Sequence, residues 1–197
     1  MGVVTFKGLD VAVDTGRVMT PRQTSERLVD AAVAAAGDRQ VRIADVGTGS
    51  GAIALALATA LPQAEVIATD TSAEAVMLAR ANAARLGLGE RVTVKHSDLL
   101  EPVEGPFDVI VANLPYLPLA EIDRHPDIAD EPLEAVFAGG DGLGLYRALI
   151  PASSERLTPG GVLVIQLRAR VLSAGRGDLE ALATRLASSP PLRAESG

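Results

Sequence analysis

The residues best suited to chemistry form a glycine turn, Gly47-Thr48-Gly49-Ser50-Gly51, between the β-branched run Val41 to Val46 and the apolar stretch Ala52 to Leu61. Three glycines at alternate positions let the backbone turn tightly, so that a ligand can approach the chain and the N-terminus of the following helix. The spacing selects among ligands. A nicotinamide dinucleotide site requires Gly-x-Gly-x-x-Gly, but Ala52 stands where the third glycine would fall, and no Gly-Lys-Ser/Thr follows to make a P-loop. Asp45, just before the turn, suits a ligand with positive charge, such as S-adenosylmethionine with its ammonium and sulfonium. Asp70, with Thr71 beside it, lies about 20 residues past the glycines, where an acid can accept hydrogen bonds from both ribose hydroxyls. Asp98 can take the adenine amino group while Leu99 covers the ring. A lone Asp is more often a helix cap or a solvated surface residue. Three at successive strand ends have one common explanation.

Asn113-Leu114-Pro115-Tyr116 follows the buried run Phe107 to Ala112. It is either a proline turn or a clamp. In the second case the Asn113 carboxamide oxygen and the Leu114 carbonyl each accept one N–H of a planar NH₂ group. Tyr116 offers a face for a flat amide or base, and Pro115 fixes the backbone. Such a clamp aims the nitrogen at a methyl donor, so positioning and electrostatics carry the catalysis without a general base of shifted pKa.

The elements that must position these residues alternate. Val3 to Phe6 and Leu9 to Val13 read as a hairpin around Lys7-Gly8. A helix is expected from Gln23 to Ala36, then strands over 41–46, 66–69, 92–96, 107–112 and 162–167. Helices fall between, over 52–61, 72–86 and 142–157, with Thr71 and Glu74 at capping-box spacing and Pro159-Gly160-Gly161 as a turn. Leu117 to Asp141 is polar and rich in proline and acid, as an active-site loop is. The pattern predicts an α/β fold, a Rossmann-like, doubly wound, mostly parallel sheet with an N-terminal β-hairpin and an atypical C-terminus. One domain is expected over 1–187, its first 19 residues the hairpin extension. A short helical pattern runs from Asp178 to Ala187, and 188–197 reads as a disordered tail.

The 197 residues are 48% hydrophobic, with three Phe, two Tyr, no Trp and no Cys. The absence of cysteine excludes disulfides, thiolate metal sites and cysteine nucleophiles. With only His96 and His125, no histidine metal centre is expected. A net charge of −7 argues against long nucleic acid as the direct substrate, which needs clustered Lys and Arg. The N-terminal residues lack a signal-peptide pattern and no apolar run is long enough for a bilayer, so a cytoplasmic protein without membrane contact is expected.

The motifs together resemble the release-factor glutamine methyltransferases, the family called HemK or PrmC. The likeness runs from Leu9 to Leu167 through Pro21-Arg22-Gln23-Thr24-Ser25-Glu26, Asp45 to Gly51, Asp70, Ser97-Asp98-Leu99, Asn113 to Tyr116, Glu131-Pro132 and Ala138 to Leu143. It implies an S-adenosylmethionine-dependent enzyme that methylates a glutamine side-chain amide, that of the Gly-Gly-Gln motif in a release factor. Gly47 to Gly51, Asp70, Leu99 and Asn113 would bind the cofactor, and Asn113 to Tyr116 the target. Leu114 replaces the family's first proline, and Gln166 stands where an acid is usual. The family's helical N-terminal docking domain is expected to be lacking. No final antiparallel strand pair is found after Leu167, so a partner subunit or second copy could cover that sheet edge. An adenine amino group is as planar as an amide, which leaves an adenine-N6 methyltransferase, or a non-catalytic paralogue, as alternatives.

Overall fold

The computed structural model describes residues 1–124, 126–128, 130–167 and 192–196. The helical pattern over 178–187, His125, and 188–191 of the expected tail lie outside the described residues.

Strands β1 (Gly2–Phe6) and β2 (Leu9–Val13) pair antiparallel around Lys7 and Gly8, both at positive φ, as a tight two-residue hairpin requires. A 3₁₀ turn, Gln23–Ser25, leads into α1 (Glu26–Ala36). Then come β3 (Arg42–Val46), α2 (Ala52–Ala60), β4 (Glu65–Asp70), α3 (Ala73–Arg85), β5 (Val92–His96) and β6 (Phe107–Ala112). The long segment that follows holds β7 (Leu117–Pro118), two 3₁₀ turns, α4 (Leu133–Val136) and β8 (Phe137–Ala138), with β7 and β8 paired. It ends in α5 (Gly144–Arg156), β9 (Leu157–Leu167) and β10 (Leu192–Ser196).

The main sheet has the order β10-β9-β6-β3-β4-β5 and every pair is parallel. Chain order reverses beside β3, so the C-terminal ends of β3 and β6 flank the crevice where open α/β sheets bind ligands. Alternation along the strands builds two cores. Ile43, Val66, Val109, Val111, Val162 and Val164 pack with α1, α2, α3 and the hairpin, while Ala44, Val46, Ile110, Ile165 and Leu167 pack with Tyr146, Leu149 and Ile150 of α5. The hairpin is fastened to α3 by Asn82, whose side chain accepts from the Ala12 N–H and donates to the Ala12 carbonyl.

Three expectations change. Ser72, not Thr71, caps α3: its hydroxyl accepts the Ala75 N–H, because Asp70 has taken the Ser72 N–H and turned the chain. Pro159 to Gly161 lie within β9, where the register against β6 shifts between Phe107 and Val109, so the turn is a bulge inside a strand. The expected bare edge at β9 is covered by this chain itself, because Leu192–Ser196, expected as part of a disordered tail, pairs parallel with Leu163 to Leu167. Main-chain pairing of this kind needs no side-chain pattern that a sequence would display.

Candidate active site

Two cavities open at the C-terminal ends of the strands. The smaller, about 170 Å³, lies over the ends of β3, β4 and β5, and the larger, about 460 Å³, over the ends of β6 and β9. Both are lined by Asn113, Leu114 and Pro115, so this segment is their common wall.

The smaller cavity is built by the glycine turn. Gly47 has φ 72°, a conformation that favours glycine, and a Cβ there would stand 2.6 Å from Cδ2 of Leu114, which would have to move aside. The Gly47 and Thr48 N–H groups both donate to the Thr69 carbonyl at 2.9 Å, tying the turn to β4. Asp70 completes it. Its Oδ2 accepts the Gly49 N–H at 2.8 Å and its Oδ1 the Ser72 N–H at 2.9 Å. A carboxylate offers about four lone-pair sites, so each oxygen keeps one for a ligand. Thr71, Asp98 and Leu99 line the same cavity, with Val18, Met19 and Leu145 as apolar walls that the sequence did not suggest. Leu99 is held at φ 50°, and its carbonyl accepts the Thr69 hydroxyl at 2.8 Å.

Four expected cofactor residues lie elsewhere. Thr48 and Ser50 line a small adjoining cavity on the α1 side of the turn, and Gly51 caps α2 against Ala79. Asp45 lines none of the three cavities. It shares the Ile43 face of β3, under the start of α2, where its Oδ2 accepts the Thr48 hydroxyl at 2.6 Å and the Ala54 N–H at 3.1 Å. It is fully buried, and burial pushes its carboxyl up to about 7 despite those two hydrogen bonds. Oδ1 has no partner among the described residues. Asp45 therefore braces the turn from within the protein, and does not face a ligand's positive charge.

The common wall is oriented from two sides. The Asn113 Nδ2 donates to the buried Ser25 hydroxyl at 3.0 Å, which leaves Oδ1 as the acceptor on offer. Leu114 turns both its N–H and its carbonyl to Tyr146: the N–H donates to the phenol oxygen at 3.1 Å and the carbonyl accepts from it at 2.9 Å. The same hydroxyl lies 2.9 Å from the Gln166 carbonyl. Tyr146 is fully buried, and burial raises its pKa well above the usual phenol value, so it remains a donor. The Leu114 carbonyl, expected to hold the target, stands against this buried phenol, and with two lone pairs it keeps one beside that contact. Pro115 and Tyr116 line the larger cavity, with Arg22, Ile128, Val136 and Gln166.

Segments distant in sequence are tied together next to residues that line the larger cavity. Thr20 donates its N–H to the Glu131 carboxylate at 3.0 Å, joining the stretch before α1 to the loop after β7. Gly142, at φ 84°, sits against the Tyr116 carbonyl with no room for a Cβ. Asp141 accepts two hydrogen bonds from Arg147, at 2.9 and 2.6 Å, and these pairings hold its carboxyl down at about 2. Ser25 and Tyr146 are the functional side chains that sequence reasoning missed. Ser25 lay inside a quoted motif without an assigned task, and Tyr146 is one of only two tyrosines. Among the described residues no group of three or more His, Cys, Asp or Glu could hold a metal, and no helix is long and apolar enough to cross a membrane.

The family model described as Methyltransferase small domain matches residues 23–134, more than half of the chain. The chain belongs to that family. The matched methyltransferase domain takes in the glycine turn, Asp70, Asp98 and the whole common wall. Two curated relatives carry the name release factor glutamine methyltransferase. One, from Moorella thermoacetica, is 45% identical over 165 residues, 82% of this chain and 58% of its own length. The other, from Deinococcus radiodurans, is 43% identical over 173 residues, 86% of this chain and 60% of its own. The chain thus spans about three fifths of the relatives it matches. Among solved structures, the ribosomal protein L11 methylase of Lactobacillus delbrueckii subsp. bulgaricus superposes with a TM-score of 0.63 at 25% identity, covering 88% of this chain and 75% of that one.

Proposed function

We propose that this methyltransferase-domain protein transfers the methyl group of S-adenosylmethionine to a glutamine side-chain amide nitrogen, and that its target is the Gly-Gly-Gln glutamine of a peptide-chain release factor. The carrying observation is the position of Asn113 in the wall shared by the two cavities. A carboxamide held there by Ser25 stands between a donor side and an acceptor side.

The smaller cavity suits the cofactor in its donor set. Asp70 keeps a lone pair on each oxygen for a ribose diol, Asp98 lines the same cavity with a carboxyl group that can accept from an amino group, and Gly47 presents backbone without a side chain. When bound, S-adenosylmethionine supplies an electrophilic methyl group on its sulfonium. The remaining work belongs to the protein. Asn113 Oδ1 accepts an N–H of the target amide, fixes its plane and aims its nitrogen through the wall. The same oxygen favours the positive charge that grows on that nitrogen as it is alkylated, and one N–H proton then passes to water to leave a neutral N-methyl amide. Tyr116 gives the flat amide a face, and Pro115 limits the motion of the segment. The names of the two relatives support a release-factor glutamine as the substrate, and such a substrate places the protein in the cytoplasm.

The test is to incubate the protein with labelled S-adenosylmethionine and, in parallel, a release factor, its Gly-Gly-Gln to Gly-Gly-Ala variant, and ribosomal RNA. Label on the unaltered factor alone is expected. Label on RNA alone would contradict the proposal and favour an RNA methyltransferase, with nucleoside analysis deciding whether adenine carries the label.

A further inference from the structure

The segment from Gly139 to Leu143 joins β8 to α5 and folds into a turn against the backbone of Tyr116. Gly140, at φ 63°, lets the chain reverse, and the Gly142 N–H donates to the Gly139 carbonyl at 3.2 Å. Asp141 locks the turn. Its Oδ1 accepts the Leu143 N–H at 3.1 Å, and both of its oxygens accept from the Arg147 guanidinium in the first turn of α5. Leu143, buried in the core beside Tyr146, anchors the far end.

This places Gly142, at φ 84°, where a side chain has no space. A Cβ there would fall on the Tyr116 carbonyl oxygen and stand 2.9 Å from the Tyr116 carbonyl carbon and 3.3 Å from the Pro118 nitrogen. All three atoms are backbone, so no turning of a flexible side chain relieves the clash. The turn is held by Asp141 and Leu143, and β8 enters it already paired with β7, Leu117 beside Phe137 and Pro118 beside Ala138. What remains to move is the chain at Tyr116, whose half-buried ring lines the larger cavity and packs against both the α5 core and the cluster of Leu117, Ile128, Val136 and Phe137.

We infer that Gly142 is a positioning residue for the target site: the lack of a Cβ lets the turn lie flush on the Tyr116 carbonyl and so sets where the Tyr116 ring stands in the larger cavity. This rests on the glutamine-amide function proposed above, in which that ring is the face for the flat amide. Gly142 itself lines none of the three cavities, so its effect on the target passes through Tyr116.

The experiment uses the full chain, a release factor and labelled S-adenosylmethionine, with NMR of ring-labelled tyrosine as a second readout. The chain has two tyrosines, Tyr116 and Tyr146, so the Tyr116→Phe variant assigns both ring signals. Gly142→Ala is expected to lower kcat/KM for the factor about tenfold, mainly through KM, the worth of one aromatic contact. It should shift the Tyr116 ring signal and leave cofactor affinity unchanged. Unaltered activity would overturn the inference, and so would lost activity with an unmoved Tyr116 signal. A loss of cofactor affinity as large as the loss in kcat/KM would also overturn it, because the turn would then act on the smaller cavity through Leu145. If circular dichroism shows that Gly142→Ala does not fold, Asp141→Ala takes its place, since it unlocks the turn without adding an atom. It should lower kcat/KM and shift the same ring signal, and the absence of either effect would refute the positioning role. Failure of the unaltered protein to label the factor would overturn the proposed function and this inference with it.

Discussion

Ser25 and Asn113, 88 positions apart in the chain, meet at 3.0 Å, with the Asn113 Nδ2 donating to the Ser25 hydroxyl. One residue closes the 3₁₀ turn before α1, and the other follows the last residue of β6. The bond fixes which end of the Asn113 carboxamide is spent inside the protein and which is offered to the cavity. It explains why a motif ahead of the first core helix belongs with a motif at the end of β6.

Ser25→Ala therefore leaves the Asn113 amide free to rotate. Steady-state methylation should show kcat/KM reduced roughly tenfold, the worth of about one hydrogen bond, with Ser25→Thr retaining most of the activity.

Asn113→Ala and Asp70→Ala should separate the two cavities. The first removes the amide acceptor and should lower kcat by about 10²-fold or more while calorimetry finds cofactor affinity largely kept. The second should weaken cofactor binding on the order of tenfold, since Asp70 both holds the Gly49 and Ser72 N–H groups and offers oxygens to the ligand.

Tyr146→Phe removes one hydroxyl that serves the Leu114 N–H, the Leu114 carbonyl and the Gln166 carbonyl. Urea unfolding should show a loss of about 1–3 kcal/mol, the cost of a buried backbone N–H left without a partner.

Asp45 gives the stability a pH dependence. Unfolded, it ionises near its ordinary 3.8; folded, only near 7. Between those values the folded protein keeps a proton that the unfolded chain has released, so this residue's contribution to stability falls as pH rises from about 4 to about 7 and is level above. At 1.36 kcal/mol per unit the whole span is on the order of 4 kcal/mol. Asp45→Asn should remove the slope, so its Tm relative to the unaltered protein should be more favourable at pH 8 than at pH 4.

What the sequence made legible was whatever depends on local pattern. Alternating strands and helices, the glycine turn, Asp70 and Asn113 are written in spacing and in position at strand ends, and the structure brings them to one crevice. Asp45 was misread because an acid before a glycine turn looks alike whether it faces the ligand or the first turn of α2. Only its place on the Ile43 face of β3 distinguishes the two. The contact of the Leu114 carbonyl with Tyr146, 32 residues away, was not legible for a related reason: what stands beside a carbonyl depends on the fold. The Asn113–Ser25 bond and the pairing of β10 with β9 are likewise contacts across the fold, which no window of neighbouring residues contains.

The central claim is the chemical position of the methyl group. After incubation of the protein with S-adenosylmethionine and a release factor, peptide mass spectrometry of the digested factor should find the mass of one added methyl group on the Gly-Gly-Gln peptide, with fragmentation placing it on the glutamine side-chain nitrogen. A methyl group on any other residue of the factor, or an unmodified factor beside a methylated adenine in ribosomal RNA, would contradict the account.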